Sequence, residues 1–520
     1  MDRNKVVQCF KRLQNGNDVR GVAVATPTEG RTLSAGCVSF IAAAFAGYVA
    51  QKTGKSPESL RIGVGHDSRI SASELMDACF VGLGNTNVFD CGLISTPAMF
   101  QSTVLACSDF DGAIMLTASH LPFHRNGMKF FTKDGALNKA DLSVMLENAA
   151  DLCCRYGAID DDALATAERF KTGDRQPQSF DMVGGYCAHM RDLIQRAVNA
   201  EDYEHPLAGL HIIEDAGNGA AGFFATHILQ PLGADISGSV YLDPDGHFPN
   251  HVPNPEDAAA MAAAQKATLN ARADLGVIFD CDGDRGAVVF SDGTEVNRNV
   301  LIALLATIVA EKSPGSTIVT DSVTSDELAA YLEKHLGMKH LRYKRGYKNV
   351  IDKAVDLNKN GELCELAIET SGHGAFKENY FSDDGAYIAT VIICKMAQLR
   401  KSGRRIEDLI ESLEHPAESR EIRFKIGAPD FVSYGKSVLE AFGQFAAGDA
   451  RFHIVEPNYE GIRIRFDDDE VKGWMLLRMS LHDPAMPMNV EAKAIGGVDI
   501  ILGRLQPFFD RFEQLVRTDG

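Results

Sequence analysis

Several features that mark other classes of protein are missing from this sequence. The chain lacks an excess of positive charge: 52 Lys and Arg stand against 71 Asp and Glu, and the net charge of −19 argues against a chain built mainly to bind nucleic acid or an anionic membrane. The 11 cysteines form no CxxC pair of the kind that binds zinc or exchanges disulfides. Met1–Phe10 lacks the apolar run of a signal peptide, and Cys37–Ala50 is too short to span a bilayer. We therefore expect a protein of a reducing, cytoplasmic compartment, with no nucleic-acid or membrane partner.

The composition and the alternation of segments indicate an α/β protein. At 520 residues, 45% hydrophobic and 24% charged, the chain has an ordinary globular composition and the length of about three or four domains. Helical stretches such as Ser71–Gly82 and Val300–Ala310 alternate with short apolar runs, which favours largely parallel sheets. The predicted buried strands are Arg61–Gly65, Gly112–Leu116, Leu210–Ile213, Leu275–Phe279, Thr317–Thr320 and Leu363–Ile368. The last segment is β-rich, for example at Gly461–Phe466 and Trp474–Met479.

Polar stretches divide the chain. Lys171–Ser179 and Ser291–Arg298 are polar, and charged residues crowd Glu411–Glu421, which is typical of linkers between domains. The predicted domains are residues 1–175, 176–295, 296–415 and 416–520.

An acidic loop is the strongest chemical signal. Asp280, Asp282 and Asp284 alternate directly after a predicted strand, so their carboxylates can converge on one hard cation such as Mg²⁺. An EF-hand would need Gly at the sixth position and Glu at the twelfth, where this loop has Arg285 and Ser291. A solvated acidic turn is the alternative, but carboxylate repulsion at this density favours a bound cation.

A hydroxyl lies at the end of another predicted strand, in Thr117-Ala118-Ser119-His120-Leu121-Pro122. Ligands of α/β proteins bind at the carboxyl ends of strands, so Ser119 is placed to react. Its flanks differ from the GxSxG turn of hydrolases, which disfavours acyl transfer. Taken alone, the pattern favours a helix N-cap over a nucleophile.

A glycine-rich turn formally matches a dinucleotide-binding fingerprint. Gly217-Asn218-Gly219-Ala220-Ala221-Gly222 fits GxGxxG, and Asp243 lies near the distance of a ribose-binding acid. A closely packed strand-to-helix turn explains the same residues, and we favour that interpretation.

Two further loops offer groups that suit a sugar phosphate. Glu369-Thr370-Ser371-Gly372-His373 carries a carboxylate and a hydroxyl that can bond sugar hydroxyls. Arg478-Met479-Ser480-Leu481-His482-Asp483-Pro484 combines a guanidinium, a hydroxyl and backbone N–H groups that could bind phosphate. Each is only suggestive alone.

Together and in this order, the motifs resemble those of the α-D-phosphohexomutase family, especially its phosphomannomutase/phosphoglucomutase members. That family has a TASHNP-like phosphoserine loop, a DGDxDR-like metal loop, a GExSGH-like sugar loop and an RxSxTEP-like phosphate loop. The similar segments here are Thr117–Pro122, Asp280–Arg285, Glu369–His373 and Arg478–Pro484, with Asn17–Gly21, His66–Arg69 and Asp215–Gly219 resembling three further family turns. The likeness covers residues 17 to 485 and removes the dinucleotide interpretation.

The sequence departs from the family pattern at several positions. Leu121 replaces the usual Asn, Cys281 a loop Gly and His66 an Arg, while His482 and Asp483 replace Thr and Glu. The nucleophile and the metal carboxylates are kept, so the departures bear on substrate choice more than on chemistry.

The resemblance implies three α/β domains and a smaller α+β C-terminal domain around a central cleft. The implied activity interconverts hexose 1-phosphate and hexose 6-phosphate, of glucose and/or mannose, through phosphorylated Ser119 and a hexose 1,6-bisphosphate. One Mg²⁺ per chain and the bisphosphate activator are the implied cofactors, sugar phosphates the partners, and a monomer or homodimer the assembly. Conversion of phosphoglucosamine or phospho-N-acetylglucosamine remains an alternative, as does a non-catalytic scaffold.

The resemblance also assigns roles to residues. Ser119 carries the phosphoryl group and, with Asp280, Asp282 and Asp284, surrounds the metal. Lys129 matches the family lysine and is the candidate base for the hydroxyl proton, and His120 and Arg20, beside the reacting phosphate, are further candidates. The implied substrate-binding residues are Arg285, Lys344, Gly346, Glu369, Ser371, His373, Arg478, Ser480 and His482.

Overall fold

The computed structural model describes residues 2–156, 176–480 and 483–518. These residues form two compact units. The first comprises residues 1–297 and 371–408, and the second residues 298–370 and 409–520. The predicted linker at 171–179 lies in part outside the described residues.

The first unit begins with an eight-stranded sheet, counted over the described residues, in the order β1-β2-β6-β5-β3-β4-β8 with β7 paired to β6. Its strands are β1 (Gln14–Asn15), β2 (Asp18–Val22), β3 (Arg61–His66), β4 (Asn87–Leu93), β5 (Gly112–Leu116), β6 (Arg125–Thr132), β7 (Gly135–Ala136) and β8 (Gln178–Ser179). Its helices are α1 (Arg3–Lys11), α2 (Ala35–Thr53), α3 (Ala72–Leu83), α4 (Thr96–Gln101), α5 (Lys139–Tyr156) and α6 (Met182–Val198).

The sheet is mixed rather than largely parallel as predicted. β3 pairs in parallel with β4 and β5, whereas β6 runs antiparallel to both β5 and β2. The short chain between β5 and β6 permits only an antiparallel return, because a parallel one needs a crossover of a dozen or more residues. Because β3 and β5 are parallel, their carboxyl ends, which carry the turns at His66 and Thr117, lie at the same end of the sheet.

A second sheet of the first unit has the order β12-β11-β10-β9. Its strands are β9 (Ile212–Asp215), β10 (Leu275–Phe279), β11 (Gly286–Phe290) and β12 (Glu295–Val296). The same unit contains α7 (Ala258–Ala271), the short strand β16 (Gly374–Phe376) and α11 (Gly385–Arg400). β10 and β11 are antiparallel and are joined by the acidic loop, so this loop is the turn of a hairpin between two fully buried strands.

The second unit contains an α/β part and an α+β part. In the α/β part, β13 (Thr317–Thr320) lies in parallel between β14 (Lys339–Arg342) and β15 (Cys364–Ile368). Its helices are α8 (Arg298–Lys312), α9 (Asp326–Ala330) and α10 (Tyr347–Lys359).

The C-terminal part is a six-stranded sheet, within the described residues, in the order β18-β19-β20-β21-β17-β22. Its strands are β17 (Glu418–Ile426), β18 (His453–Ile454), β19 (Ile462–Asp467), β20 (Lys472–Leu477), β21 (Ala485–Ala492) and β22 (Leu515–Thr518). Helices α12 (Phe431–Ala447) and α13 (Gly497–Phe509) belong to the same part, and Phe442 and Phe508 pack in its core. All of its strand pairs are antiparallel.

Short 3₁₀ turns and two π-helical turns complete the secondary structure of the described chain. They are Pro57–Ser59, Gln230–Leu232, Lys377–Asn379 and Glu407–Ile410, and Phe224–Leu229 and Tyr331–His335. The predicted class, α/β domains followed by a smaller α+β domain, is confirmed. Across the described ranges, no helix is both long and apolar enough to cross a membrane.

Candidate active site

Ser119 lies on a tight turn after β5. Its φ of +50° is in the left-handed region, which a residue with a side chain occupies only when its surroundings hold it there. The Ser119 N–H donates to Thr117 Oγ1 at 2.9 Å. The interpretation of Ser119 as a helix N-cap is wrong, because no helix follows the turn and β6 begins at Arg125.

The hydroxyl of Ser119 points to the acidic loop. Ser119 Oγ donates a hydrogen bond to Asp280 Oδ2 at 2.8 Å, although 161 residues separate them in sequence. Both side chains are buried, so bulk water does not screen this contact. The structure thus brings together the two strongest motifs of the sequence.

The three aspartates of the loop form a buried cluster. Their carboxylate oxygens lie within 4.8 Å of one another. Burial, and then repulsion from Asp284 and Asp282, raises the pKa of Asp280 well above its ordinary value. Asp282 Oδ1 and Asp284 Oδ1 are buried without a hydrogen-bond partner.

Those two orphaned oxygens test whether the loop suits a divalent cation. Buried carboxylate oxygens without a donor are costly, and a hard cation with oxygen ligands removes that cost. The donor set of three carboxylates beside the hydroxyl of Ser119 fits Mg²⁺. The cluster is therefore a candidate metal site.

Lys129 lies against the same cluster. It is on β6, where it pairs with Met115 of β5, and its side chain is 4% exposed. Its ammonium donates to Asp282 Oδ2 at 2.9 Å and also to Asp284 Oδ2. Thr96 donates to the same Asp282 oxygen at 2.6 Å. Neighbouring carboxylates thus hold the amine beside the turn that carries Ser119.

Arg20 and His120 flank the serine. Arg20, on β2, donates to the carbonyl of Ala118 at 2.7 Å and to Asp18 at 3.0 Å. His120 Nδ1 lies 3.3 Å from Ser119 Oγ. Burial, followed by the positive charges of Arg285 and Arg20, lowers the pKa of His120 to about 2. His120 is therefore neutral near pH 7.

Arg285, His373 and Asp383 form a chain of contacts at the end of the acidic loop. Arg285 Nε donates to His373 Nε2 at 2.9 Å, and His373 Nδ1 lies 2.5 Å from Asp383 Oδ2. His373 Nδ1 is also 3.7 Å from Asp284 Oδ1. Sequence reasoning predicted the first two residues and missed Asp383, whose ten-residue separation from His373 gives no local signal. Ser371 Oγ, also in the first unit, is buried without a hydrogen-bond partner.

In the second unit, Glu369 and Gly346 are in contact. The Gly346 N–H donates to Glu369 Oε1 at 2.6 Å, and the φ of +112° at Gly346 suits only glycine. Lys344, also predicted, has an exposed side chain. Its neighbour Arg345 is the residue held in place: its N–H donates to Glu460 Oε2 at 3.1 Å, and its Nε lies 3.9 Å from Asp321.

Arg478 is buried in the second unit. Its NH1 donates to the Met479 carbonyl at 3.3 Å and lies 4.0 Å from Glu460 Oε1. Its Nε is buried without a partner, and burial and then Arg345 lower its pKa. Ser480 Oγ accepts from the Asp483 N–H at 3.2 Å. His482 lies outside the described residues.

Glu460 and Asp321 are further residues that sequence reasoning missed. Glu460 also accepts from Ser322 Oγ at 2.5 Å, and Asp321 accepts from Thr370 at 2.8 Å. Neither belongs to a motif, and their partners are 138 and 49 residues away. Both carboxylates also lie beside Arg345, and these contacts between residues distant along the chain are visible only in the fold.

The glycine-rich turn after β9 packs closely, as predicted. A Cβ on Gly219 would lie 2.5 Å from the carbonyl oxygen of Cys281, so this turn is in direct contact with the acidic loop. The Ala220 N–H donates to the same carbonyl at 2.8 Å. The turn supports the candidate metal site, and the glycine is required by that contact.

Three family models match the chain in succession. They describe the alpha/beta/alpha domains I, II and III of phosphoglucomutase/phosphomannomutase and match residues 11–151, 185–293 and 297–416.

Curated relatives carry the same names. The chain is 31% identical over 455 residues to the phosphomannomutase/phosphoglucomutase of Pseudomonas syringae pv. tomato, which covers 85% of each chain. It is 27% identical over 504 residues to the phosphoglucomutase of Neisseria gonorrhoeae, covering 96% of this chain and 97% of the relative.

Solved structures are similar over nearly the whole chain. A phosphoglucomutase/phosphomannomutase family protein from Burkholderia thailandensis superposes with a TM-score of 0.73 at 26% identity, covering 97% of this chain and 96% of the other. An N-acetylphosphoglucosamine mutase from Aspergillus fumigatus, solved with GlcNAc-6P and magnesium, shares the fold with a TM-score of 0.56 at 13% identity, covering 98% of this chain and 99% of the other.

Proposed function

The chain belongs to the phosphoglucomutase/phosphomannomutase family of α-D-phosphohexomutases, and from this premise we propose that it interconverts the 1- and 6-phosphates of glucose and/or mannose. This makes it a phosphohexomutase, an enzyme of the isomerase class. One observation carries the proposal. Ser119 Oγ lies 2.8 Å from Asp280, on the edge of a cluster of three buried carboxylates. A hydroxyl beside a cation site is the arrangement that phosphoryl transfer needs.

In the proposed reaction Ser119 is the phosphoryl carrier. The bond between phosphorus and Ser119 Oγ breaks as a bond forms to the free hydroxyl of a hexose monophosphate. The resulting hexose 1,6-bisphosphate reverses its orientation, and its other phosphoryl group is then transferred to Ser119. Asp280, Asp282 and Asp284, with Ser119, would hold one Mg²⁺ per chain, which when bound neutralises charge on the transferring phosphoryl oxygens.

Lys129 is the proposed base for the sugar hydroxyl. Its side chain is 4% exposed, and its nitrogen lies within hydrogen-bond distance of Asp282 and Asp284, whose negative charges stabilise the ammonium ion formed when the amine takes the proton. His120 is the weaker candidate, because a pKa of about 2 leaves its ring a poor proton acceptor. We assign His120 and Arg20 to holding the phosphoryl group on Ser119.

The other predicted residues are assigned to substrate recognition. Arg285, held by His373, and Ser371 belong to the first unit, whereas Lys344, Gly346 and Glu369 belong to the second. Glu369 and Ser371 would bond sugar hydroxyls. Arg478, Ser480 and His482 would bind the phosphate that is not being transferred, and the partnerless Nε of Arg478 supports that role.

The proposal extends to conditions and surroundings. Hexose 1,6-bisphosphate would act as activator as well as intermediate, the compartment would be cytoplasmic, and the enzyme would work as a monomer or homodimer on small sugar phosphates. Phosphoglucosamine and phospho-N-acetylglucosamine are the alternative substrates, and direct competition among the sugar phosphates distinguishes them.

The test compares wild type with Ser119→Ala, using glucose 1-phosphate and mannose 1-phosphate with Mg²⁺ and a trace of glucose 1,6-bisphosphate. Turnover should fall at least about 1,000-fold, because the variant has no carrier oxygen. Ser402→Ala, an exposed serine, is the matched control and should keep full activity. Intact mass should show one phosphate on wild type and none on Ser119→Ala.

Full activity of Ser119→Ala would overturn the carrier role. Wild-type protein without turnover on any hexose phosphate would instead favour the scaffold alternative. The ratio of rates on the two sugars names the preferred substrate.

A further inference from the structure

Arg69 is a fully buried arginine outside the proposed catalytic set. It follows β3 and its side chain is 0% exposed. A guanidinium has five N–H donors and no acceptor, so burying it requires acceptors on every side. The structure supplies them from one short stretch of chain, the loop that contains Ser119.

Each N–H of the Arg69 side chain has an acceptor. NH2 donates to the carbonyls of Ser119 at 2.5 Å and Leu121 at 2.6 Å. NH1 donates to the carbonyls of Pro122 at 2.8 Å and Arg125 at 2.9 Å. Four carbonyls between residues 119 and 125 therefore converge on a single cation. This is the interaction that can hold Ser119 at its positive φ.

Asp67 completes the set and connects it to the acidic loop. Arg69 Nε donates to Asp67 Oδ2 at 3.1 Å, and the Arg69 backbone N–H donates to Asp67 Oδ1 at 3.0 Å. Cys281, between two of the metal-site aspartates, donates from its thiol to the same Asp67 Oδ2 at 3.3 Å. One buried ion pair thus contacts both the serine loop and the acidic loop.

A third segment covers the pair. The face of the Phe248 ring lies 5.3 Å from the Arg69 guanidinium. A Cβ on Gly246 would lie 2.3 Å from the Ser68 carbonyl oxygen and 2.5 Å from the Ile70 nitrogen. The turn that carries Arg69 is therefore packed against backbone on one side and the Phe248 ring on another.

We infer that Asp67 and Arg69 are positioning residues that hold the Ser119 loop in register with the metal loop. The inference rests on the proposed role of Ser119 as phosphoryl carrier. Phosphoryl transfer depends on alignment of the attacking and leaving oxygens, and a displacement of about 1 Å can cost about 100-fold in rate. Arg69 does not touch the reacting atoms, so it acts through the shape of the loop.

The test measures kcat, KM and phosphorylation of Ser119 in Arg69→Lys. Lysine keeps the charge but has three donors on one nitrogen, so it cannot span the same five acceptors. We expect kcat to fall about 100-fold with KM for glucose 1-phosphate within about threefold of wild type. Phosphorylation of the dephosphorylated enzyme by glucose 1,6-bisphosphate, followed by intact mass, should slow by a similar factor.

A second variant disturbs the same turn without removing the guanidinium. Gly246→Ala pushes a Cβ onto the backbone at Ser68 and Ile70, and we expect a kcat loss of about tenfold with KM unchanged. Gly47→Ala is its matched control, since a Cβ there meets nothing within 4 Å, and it should behave as wild type. If Arg69→Lys does not fold, the comparison of Gly246→Ala with Gly47→Ala tests the positioning role by itself.

The outcomes separate this inference from the proposed function. If Ser119→Ala is inactive while folded Arg69→Lys and Gly246→Ala keep kcat within twofold of wild type, the positioning role is wrong and the carrier role stands. If Ser119→Ala is active, the proposed function itself fails. Loss of thermal stability in Arg69→Lys without loss of kcat would also overturn the inference, because it indicates a purely structural residue.

Discussion

The candidate sites of the two units differ in how their buried charged groups are arranged. In the first unit, three carboxylates crowd one loop and two of their oxygens have no partner. In the second unit, Arg478 is buried with a partnerless Nε, and Glu460 lies 4.0 Å from its NH1. The difference supports the proposal that the first site receives a cation and the second an anion. A reaction that moves phosphate needs both.

The largest expected effect comes from removing one carboxylate of the first site. Asp280→Asn should reduce Mg²⁺-dependent turnover at least about 1,000-fold, since it removes a proposed metal ligand beside Ser119. It should also abolish the rise in Tm on adding Mg²⁺, which for wild type corresponds to about 2.7 kcal/mol at a concentration 100 times Kd. Activity assays and thermal denaturation with and without Mg²⁺ check both.

The same variant should fold normally without metal. The amide can accept from the Arg285 N–H and donate to Ser119 Oγ, and it relieves the repulsion that raises the pKa of Asp280. Asp321→Asn, a buried carboxylate of the second unit, is the matched control. If Asp321→Asn lost the Mg²⁺-induced shift in Tm, or Asp280→Asn kept it, the proposal that the cation binds in the first unit at Asp280 would be wrong.

The stability of the C-terminal part should depend on pH through Glu491. Burial, partly opposed by the hydrogen bond from Trp474 Nε1, raises the pKa of Glu491 to about 7. A carboxyl whose pKa is raised on folding contributes stability at low pH, and the contribution is lost as the pH rises toward 7. The contribution of Glu491 to the free energy of unfolding should therefore fall by about 2.5 kcal/mol between pH 5 and pH 8.

Glu491→Gln should remove that dependence, because an amide does not titrate. Trp474 is the only tryptophan and is 1% exposed, so its fluorescence reports urea unfolding of this part directly. Glu440→Gln, an exposed glutamate on α12, should retain the wild-type slope. Equal slopes for wild type and Glu491→Gln would show that another group controls the pH dependence.

The smallest effect is expected at the anion site. Arg478→Met removes a charged donor, and hydrogen bonds to charged groups contribute about 1.5–3 kcal/mol, so KM for hexose phosphate should rise about 10- to 100-fold. We expect kcat to change less than about threefold, in contrast to the first site, where kcat falls. Steady-state kinetics measures the split.

Arg465→Met, on the exposed face of β19, is the control for loss of an arginine and should leave KM unchanged. A fall in kcat with constant KM in Arg478→Met would place this residue with the transfer chemistry. Such a result would contradict the proposal that the first unit acts in phosphoryl transfer and the second in phosphate binding.

The acidic loop of the first site could be predicted from sequence because its three carboxylates lie close together along the chain. The spacing of Asp280, Asp282 and Asp284 is local, and a tight turn after a buried strand forces such carboxylates together. The strands Gly112–Leu116, Leu275–Phe279 and Thr317–Thr320 were predicted with the bounds they have, because a fully buried strand is a continuous apolar run. The antiparallel direction of β6 was not predicted, because the short segment between β5 and β6 gives no hydrophobic signal.

The partners of the site residues could not be predicted. No sequence motif indicates which residues they contact. Examples are Asp383 beside His373, Glu460 beside Arg345, and Arg69 beside the Ser119 loop. Ser119 shows the same limit, because its sequence context suits a helix cap and only the structure shows a left-handed turn.

The sequence by itself determined which chemical groups this protein has and which of them are neighbours along the chain. That includes the serine loop, the acidic loop and the alternation of strands and helices, because local spacing and apolar runs act over a few residues. Only the tertiary structure decided which buried charges neutralise each other and how Ser119 meets Asp280 across 161 residues. Burial makes an unpaired charge costly, and the partner that satisfies it is chosen by packing, not by distance along the chain.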